Sequence, residues 1–256
     1  LFRLIIMIKV KNLVKKFDDK VVLNDINTTF ELGKVNLVIG RSGSGKTVFL
    51  KCLLGLLTPE EGELFYGNKD FYSLSEKEQK NIRKEMGVVF QSGAIFDFLD
   101  VEGNVRFPLD MFSNMTQKEK IDRVNFCLEK VNLQGTNKLK SSELSGGMKK
   151  RLAIARAIAL NPKYLFCDEP NSGLDPQNAV TIDELIYNLT HEFNTTTIVN
   201  THDMNSVIKI GEKVIFLNEG HLWWEGSSEN ILNTDNKELR DFIFASSLAQ
   251  KLLETS

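Results

Sequence analysis

Gly40-Arg41-Ser42-Gly43-Ser44-Gly45-Lys46-Thr47 fits the pattern G-x-x-x-x-G-K-[ST] between an apolar run and a helical stretch. Its glycines let the backbone wrap closely, so that N–H groups and a helix N-terminus face phosphate oxygens. Lys46 would reach the β and γ phosphates, and Thr47 would offer a hydroxyl to Mg²⁺. A second set is Tyr164 to Glu169, four apolar residues ending in Asp168 and Glu169. A strand ending there puts both carboxylates at the C-terminal edge of a sheet, where α/β proteins bind ligands. Asp168 would complete the Mg²⁺ shell, leaving Glu169 to orient and polarise an attacking water, because a metal-bound carboxylate is a poorer base. Leu144-Ser145-Gly146-Gly147-Met148 opens an alanine-rich helix and offers a second anion site. Taken alone, an Asp-Glu pair also describes an exposed strand end, and Ser-Gly-Gly a simple helix cap. Two phosphate-binding turns in one chain are one too many for a single nucleotide held by a single chain.

The elements around these residues must hold them at one sheet edge. Val35 to Ile39 is a short β-branched run read as a strand buried on both faces. Helical spacing from Lys46 to Leu57 follows, with Pro59 as its expected stop. Ile6 to Val10 and Val21 to Phe30 read as further strands. Ser75 to Lys140 is mostly helical, clearest at Lys118 to Val131 and interrupted by a short strand at Gly87 to Phe90. Then come a helix (Met148–Leu160), a strand (Tyr164–Cys167), a helix (Pro176–Phe193) and a strand (Thr196–Asn200). Alternation of this kind predicts an α/β fold on a mostly parallel sheet. Val214 to Leu217 and His221 to Trp224 flank Asn218-Glu219-Gly220 as a hairpin. A C-terminal helix from about Lys237 to Leu253 is expected to pack Leu239, Phe242, Ile243, Phe244, Leu248 and Leu252 on its own sheet.

The 256 residues are 42% hydrophobic and 26% charged, which excludes a disordered or fibrous chain. With 32 basic and 34 acidic residues the net charge is -2, so no global field draws the protein to nucleic acid. The compact basic run Lys149-Lys150-Arg151 reads as a solvated helix face. Cys52, Cys127 and Cys167 are widely spaced and read as buried, reduced thiols; with His191, His202 and His221 they form no zinc spacing. No apolar run reaches the roughly 18 residues that span a bilayer. Leu4 to Ile8 is too short for a signal core, and Met7 is the expected physiological start, so Leu1 to Ile6 carry no functional weight here.

The P-loop, Gln91, Leu144 to Met148, Asp168-Glu169, Ser172-Gly173-Leu174-Asp175 and His202, in this order and at these separations, resemble the ATP-binding-cassette (ABC) ATPase subunit of membrane transporters over essentially the whole chain. The resemblance implies a P-loop NTPase core with an antiparallel β-subdomain and a helical subdomain. A single domain of about residues 7–250 is expected, with the β-subdomain and P-loop core to about 90, the helical signature subdomain over about 91–160 and the remaining core beyond. It also implies that two copies meet head to tail, each MgATP lying between one chain's P-loop and the other's signature turn, which accounts for the surplus anion site. One P-loop and one signature turn per chain give two complete sites only under two-fold pairing. Carried across, Gln91 would touch Mg²⁺ or the water and sense the membrane subunit, His202 would contact the γ phosphate, Asp175 would cross the dimer interface and Phe17 would stack on adenine. Outside the resemblance, Gln91 and His202 are ordinary loop residues and Phe17 ordinary packing.

Met148, where most of the family has Gln, and Gln91-Ser92-Gly93-Ala94-Ile95-Phe96 are similar to the Mla-type branch. That branch implies phospholipid transport for outer-membrane lipid asymmetry, a permease and an MCE-domain lipid-binding partner, and a peripheral place on the cytoplasmic face of the inner membrane. Lipoprotein release and solute uptake remain alternative branches. A soluble ABC protein acting on DNA or ribosomes is a third reading; such proteins carry coiled coils, paired cassettes or basic extensions, which this chain lacks, so no nucleic-acid partner is expected.

Overall fold

Ile8 and Val10, then Leu13 and Lys15, are buried along β1 (Ile8–Phe17), two period-two stretches offset by an irregularity at left-handed Asn12 (φ 47°). A tight turn with Asp18 in the left-handed region leads into antiparallel β2 (Lys20–Phe30). The computed structural model describes residues 7–244. They form two units, one built from residues up to Gln79 together with those from Thr196 onward, the other from Lys80 to Thr195. Ile6, and Leu248 and Leu252 of the expected last helix, lie outside the described residues.

In the first unit, β3 (Val35–Ile39) is buried at all five positions. The helix α1 (Lys46–Leu53) follows it, ending earlier than Pro59 predicts. Gly55 is left-handed (φ 66°), its N–H bonds the carbonyl of Cys52, and the N–H of Leu56 bonds that of Lys51, a Schellman closure that satisfies the last carbonyls. The apolar residues beyond, Leu56 and Leu57, therefore belong to the turn. The strand β4 (Glu61–Tyr66), which the expected elements omit, pairs antiparallel with β1, and β5 (Lys69–Asp70) completes a four-stranded sheet in the order β2-β1-β4-β5. The chain leaves this unit within α2 (Glu76–Arg83).

The second unit begins with β6 (Met86–Val89). Three packed helices follow, α3 (Val101–Phe112), α4 (Gln117–Lys130) and α5 (Gly146–Ala157). The α4 start is a full capping box, Thr116 with Glu119. At the other end of α5, Arg123 donates to the carbonyls of Ala159 (2.9 Å) and Ile158 (2.8 Å). Next, β7 (Tyr164–Asp168) lies parallel to β6, and α6 (Pro176–Phe193) starts at the expected residue, capped by Asp175 with Pro176 in its first turn.

Back in the first unit, β8 (Thr196–Thr201) runs parallel to β3. After α7 (Met204–Ile210), β9 (Lys213–Asn218) flanks β3 on its other side, also parallel, and β10 (His221–Gly226) returns antiparallel. Glu219 (φ 48°) and Gly220 (φ 77°) form the predicted hairpin turn, both left-handed as its twist requires. After α8 (Ser228–Ile231), α9 (Lys237–Phe244) buries Leu239, Phe242 and Ile243, with the Phe242 ring 5.4 Å from that of Phe216 in β9. The described part of the last helix thus covers its own sheet.

Asn36 is the polar exception within β3. It is fully buried, its Oδ1 accepts from the N–H of Glu31 (2.8 Å), and its Nδ2 donates to the carbonyls of Glu31 (3.1 Å), Lys34 (3.0 Å) and Thr197 (3.1 Å). One amide thereby ties the loop before β3 to β8. Truncation leaves several backbone groups unpartnered, so Asn36→Ala is expected to lower stability by about 2–3 kcal/mol in denaturant titration; a change below about 0.5 kcal/mol would contradict this role.

Candidate functional site

The first unit builds a phosphate-type cradle at the end of β3. A Cβ on Gly40 would lie 2.1 Å from the carbonyl oxygen of Leu217 in β9 and 2.7 Å from Ser44 Oγ, so no side chain fits there. The N–H of Ser44 bonds the Arg41 carbonyl at 3.1 Å and closes the turn, and Gly45 (φ 106°) enters α1 without any side-chain cap on the helix. Lys46 is only 6% exposed, and its Nζ donates to the carbonyls of Gly40 (2.7 Å) and Arg41 (3.1 Å). Ser44 Oγ is buried without a hydrogen-bond partner, and a buried unsatisfied hydroxyl is costly unless a ligand oxygen meets it. These features fit a bound phosphate. Arg41, Ser42, Gly43 and Thr47 are exposed along the loop.

Register brings a second residue to the same edge. Ile39 pairs with Thr201, so Gly40 and His202 step off adjacent parallel strands together. His202 is exposed, and the N–H of Asp203 bonding Thr201 Oγ1 (3.0 Å) fixes the turn that carries it. Phe17 ends β1 with its ring 44% exposed, and the Lys15 ammonium lies 5.1 Å from the ring centroid.

The second unit collects the carboxylates and the signature turn. All of β7 is buried, Asp168 included, and Val89 pairs with Cys167, which places Gln91 beside Asp168-Glu169 at one strand edge. Gln91 Nε2 donates to Glu169 Oε2 at 3.0 Å and reaches Ser172 Oγ at 3.5 Å. Glu169 takes left-handed backbone (φ 46°), uncommon for a residue with a Cβ and frequent where a side chain is aimed for function. Ser145 is the N-cap of α5, its Oγ accepting from the Met148 N–H at 3.2 Å, and it and Gly146 are exposed. Gly147 is buried, and a Cβ on it would lie 3.0 Å from Asn178 Oδ1. Asn178 in turn donates to Asp175 through its backbone N–H (3.1 Å) and Nδ2 (2.6 Å), and these bonds hold the Asp175 carboxyl below its ordinary range.

Several residues escaped the sequence. The run Lys149-Lys150-Arg151 is not a solvated face: Lys150 is buried and donates to the Gln91 carbonyl at 2.5 Å, and Arg151 donates to that of Asn132 at 2.9 Å. Lys150 falls three, four and seven residues before the buried Ala153, Ile154 and Ala157, so the helical period itself marked it as inward-facing. Asn104, fully buried, accepts from the Phe96 N–H and donates to the carbonyls of Phe96, Leu99 and Asp100, fixing the segment after Gln91. The three cysteines are buried free thiols, and burial pushes Cys52 up to about 12 and Cys127 to about 11, so neither is a nucleophile.

Residues 23–172 match the model of the ABC transporter family. The chain is 38% identical to the intermembrane phospholipid transport system ATP-binding protein MlaF of Haemophilus influenzae, over 93% of this chain and 90% of that one. It is 36% identical to the methionine import ATP-binding protein MetN of Campylobacter jejuni, over 93% of this chain and 75% of that one. The dimeric post-hydrolysis structure of the ATP-binding cassette MJ0796 with ADP and Pi superposes with a TM-score of 0.78 at 32% identity, covering 86% of this chain and 98% of that one. The chain belongs to the ABC transporter family, as an ATP-binding, ATP-hydrolysing cassette.

Because β9 leaves no room at Gly40, Gly40→Ala must displace the loop. Titration of the purified chain with a fluorescent ATP analogue is expected to show at least about a tenfold loss of affinity; unchanged affinity would mean that the cradle tolerates the shift.

Proposed function

We propose that this ATPase acts as a symmetric pair that powers a permease moving phospholipid, with Mg²⁺ accompanying ATP. Lys46 and the P-loop amides take the β and γ phosphates, and Phe17 carries the adenine. Thr47, Asp168 and Gln91 each carry a hard oxygen donor of the kind Mg²⁺ prefers and would be its ligands; the ion would supply charge neutralisation along the phosphates. Glu169 accepts a hydrogen bond from the attacking water and orients it, Gln91 fixes the rotation of that carboxylate, and His202 contacts the γ phosphate. Most of the catalysis is positioning and charge stabilisation around the transferred group. The observation that supports this reading is the 3.0 Å bond from Gln91, in the loop after β6, to Glu169.

Pairing is supported by the count of parts: each chain has one cradle and one signature turn. Ser145, Gly146 and Gly147 would close on the partner's nucleotide while Asp175 crosses the interface. If so, chains carrying Ser145→Arg mixed with chains carrying Lys46→Ala regain one intact composite site per mixed dimer. Turnover is expected to recover to about half of wild type in the mixed species, against near zero for either variant alone; no recovery would overturn the trans arrangement.

The second unit also carries an apolar groove of about 570 Å³ lined by Met86, Phe90, Phe96, Phe107, Pro108 and Phe112, with Lys80, Arg83, Lys84 and Arg156 among its walls. It suits an amphipathic permease segment bearing an acidic residue, and among the described residues no helix is long and apolar enough to cross a membrane. Attachment to the cytoplasmic face of the inner membrane through such a permease follows from this reading. The phospholipid assignment leans on Met148, on the Gln91–Phe96 loop and on the 38% identity to the MlaF relative, against 36% to the MetN relative. Affinity purification from native membranes is expected to bring down a permease, an MCE-domain protein and bound phospholipid. A solute-binding protein in their place would replace phospholipid by a soluble cargo.

A further inference from the structure

Lys150 sits in the second turn of α5, five residues after Ser145, and is 9% exposed. A buried ammonium requires acceptors, and the contact in view is unusual in its target: Nζ donates at 2.5 Å to the main-chain carbonyl of Gln91, the residue whose side-chain amide donates to Glu169. Such charge-assisted bonds are roughly twice as strong as neutral ones. Burial lowers the Lys150 pKa, and the charge of Glu169 pulls it back up, so the ammonium and the carboxylate feel each other across Gln91. Six residues along the same helix, Arg156 donates to the carbonyls of Gly93 (2.8 Å) and Ala94 (2.7 Å) and stands over the Phe96 ring. The helix that begins at the signature turn therefore holds the Gln91–Phe96 loop by its backbone at Gln91, Gly93 and Ala94.

We propose that Lys150 is a positioning residue for hydrolysis: by holding the Gln91 carbonyl it fixes the backbone from which the Gln91 amide is aimed at Glu169. The proposal rests on Glu169 being the water-orienting base. It assigns Lys150 no contact with nucleotide, so its removal should be felt in the chemical step and not in binding.

The test is steady-state ATPase kinetics and nucleotide binding on the full chain with Lys150→Met, Lys150→Arg, Gln91→Ala, the Gln91→Ala/Lys150→Met pair and Glu169→Gln, each with a thermal midpoint. Lys150→Met is expected to lower kcat roughly tenfold, the scale of one charge-assisted bond, with the ATP Kd within about twofold of wild type. Lys150→Arg, which keeps a cationic donor, should stay within about threefold of wild-type kcat even if the methionine variant folds poorly. In the Gln91→Ala background the methionine change should cost less than about twofold, because its effect runs through the missing amide. Wild-type kcat in Lys150→Met, an undiminished loss in the double variant, or a rise in KM alone would each overturn the proposal. An inert Glu169→Gln beside a fully active Lys150→Met removes only Lys150's role, whereas a normally active Glu169→Gln removes the base itself.

Discussion

Everything at the cradle depends on a backbone passing where a side chain would be. The Leu217 carbonyl of β9 occupies the space of a Gly40 Cβ, and that proximity bends the loop so that Lys46 turns back on the Gly40 and Arg41 carbonyls. A loop this tight would strain any residue with a Cβ at Gly40, and within it the Ser44 hydroxyl is buried without a partner. The hairpin beside it is part of the same construction. Gly220 donates to the Ser44 carbonyl at 3.2 Å and accepts from the Asn24 N–H at 2.8 Å, so β2 and the β9–β10 turn hold the loop from outside. The tight turn at Gly40 is thus a property of four strands and not of eight residues.

Charge in the second unit is organised differently. Arg123, Lys150, Arg151 and Arg156 all donate to main-chain carbonyls, and three of these cations lie on α5. Cations placed on backbone oxygens fix loops and helix ends, since each satisfies a carbonyl that a loop or helix end leaves open. The exposed first turn of α5 is left to Ser145 and Gly146, whose short side chains keep its amides approachable. The same helix therefore has an exposed first turn at one end and holds the Gln91 loop with its flank, two hydrogen bonds from Glu169.

The fold was most legible where a local rule was strong. Pro176 and Asp175 fixed the start of α6 to the residue, and Glu219-Gly220 fixed the hairpin, because capping and left-handed turns act within a few residues. It was least legible where partners are distant in sequence. The strand β4 carries Glu61, Gly62 and Glu63 and pairs with β1, and α1 ends at Leu53, closed by Gly55, although the apolar pattern runs on. For the site, the motif residues announced themselves by type and spacing, and the register of Ile39 with Thr201 and Val89 with Cys167 then explains why His202 and Gln91 share edges with the P-loop strand and Glu169. Asn36 and Asn104 were hidden because a polar residue on a buried face has no meaning until its backbone partners are known, and Lys150, though its helical phase points inward, shows its target only once Gln91 is in place.

Met148 shows why a branch within this family is hard to read from its chemistry. In the structure its part in the signature turn is a backbone N–H donated to Ser145 Oγ, a bond that any residue except proline can make. That bond says nothing of the branch, because it involves the backbone and not the thioether. The reverse holds at Phe96, Phe107 and Phe112, which take no part in phosphate binding yet line the groove, with Phe96 and Phe107 ring centroids 4.7 Å apart. Aromatic packing of that kind is sensitive to the shape of whatever covers it. Differences between transporters that share one hydrolytic engine should consequently accumulate around such grooves, while the residues that meet phosphate stay confined to the few types that the backbone there will accept.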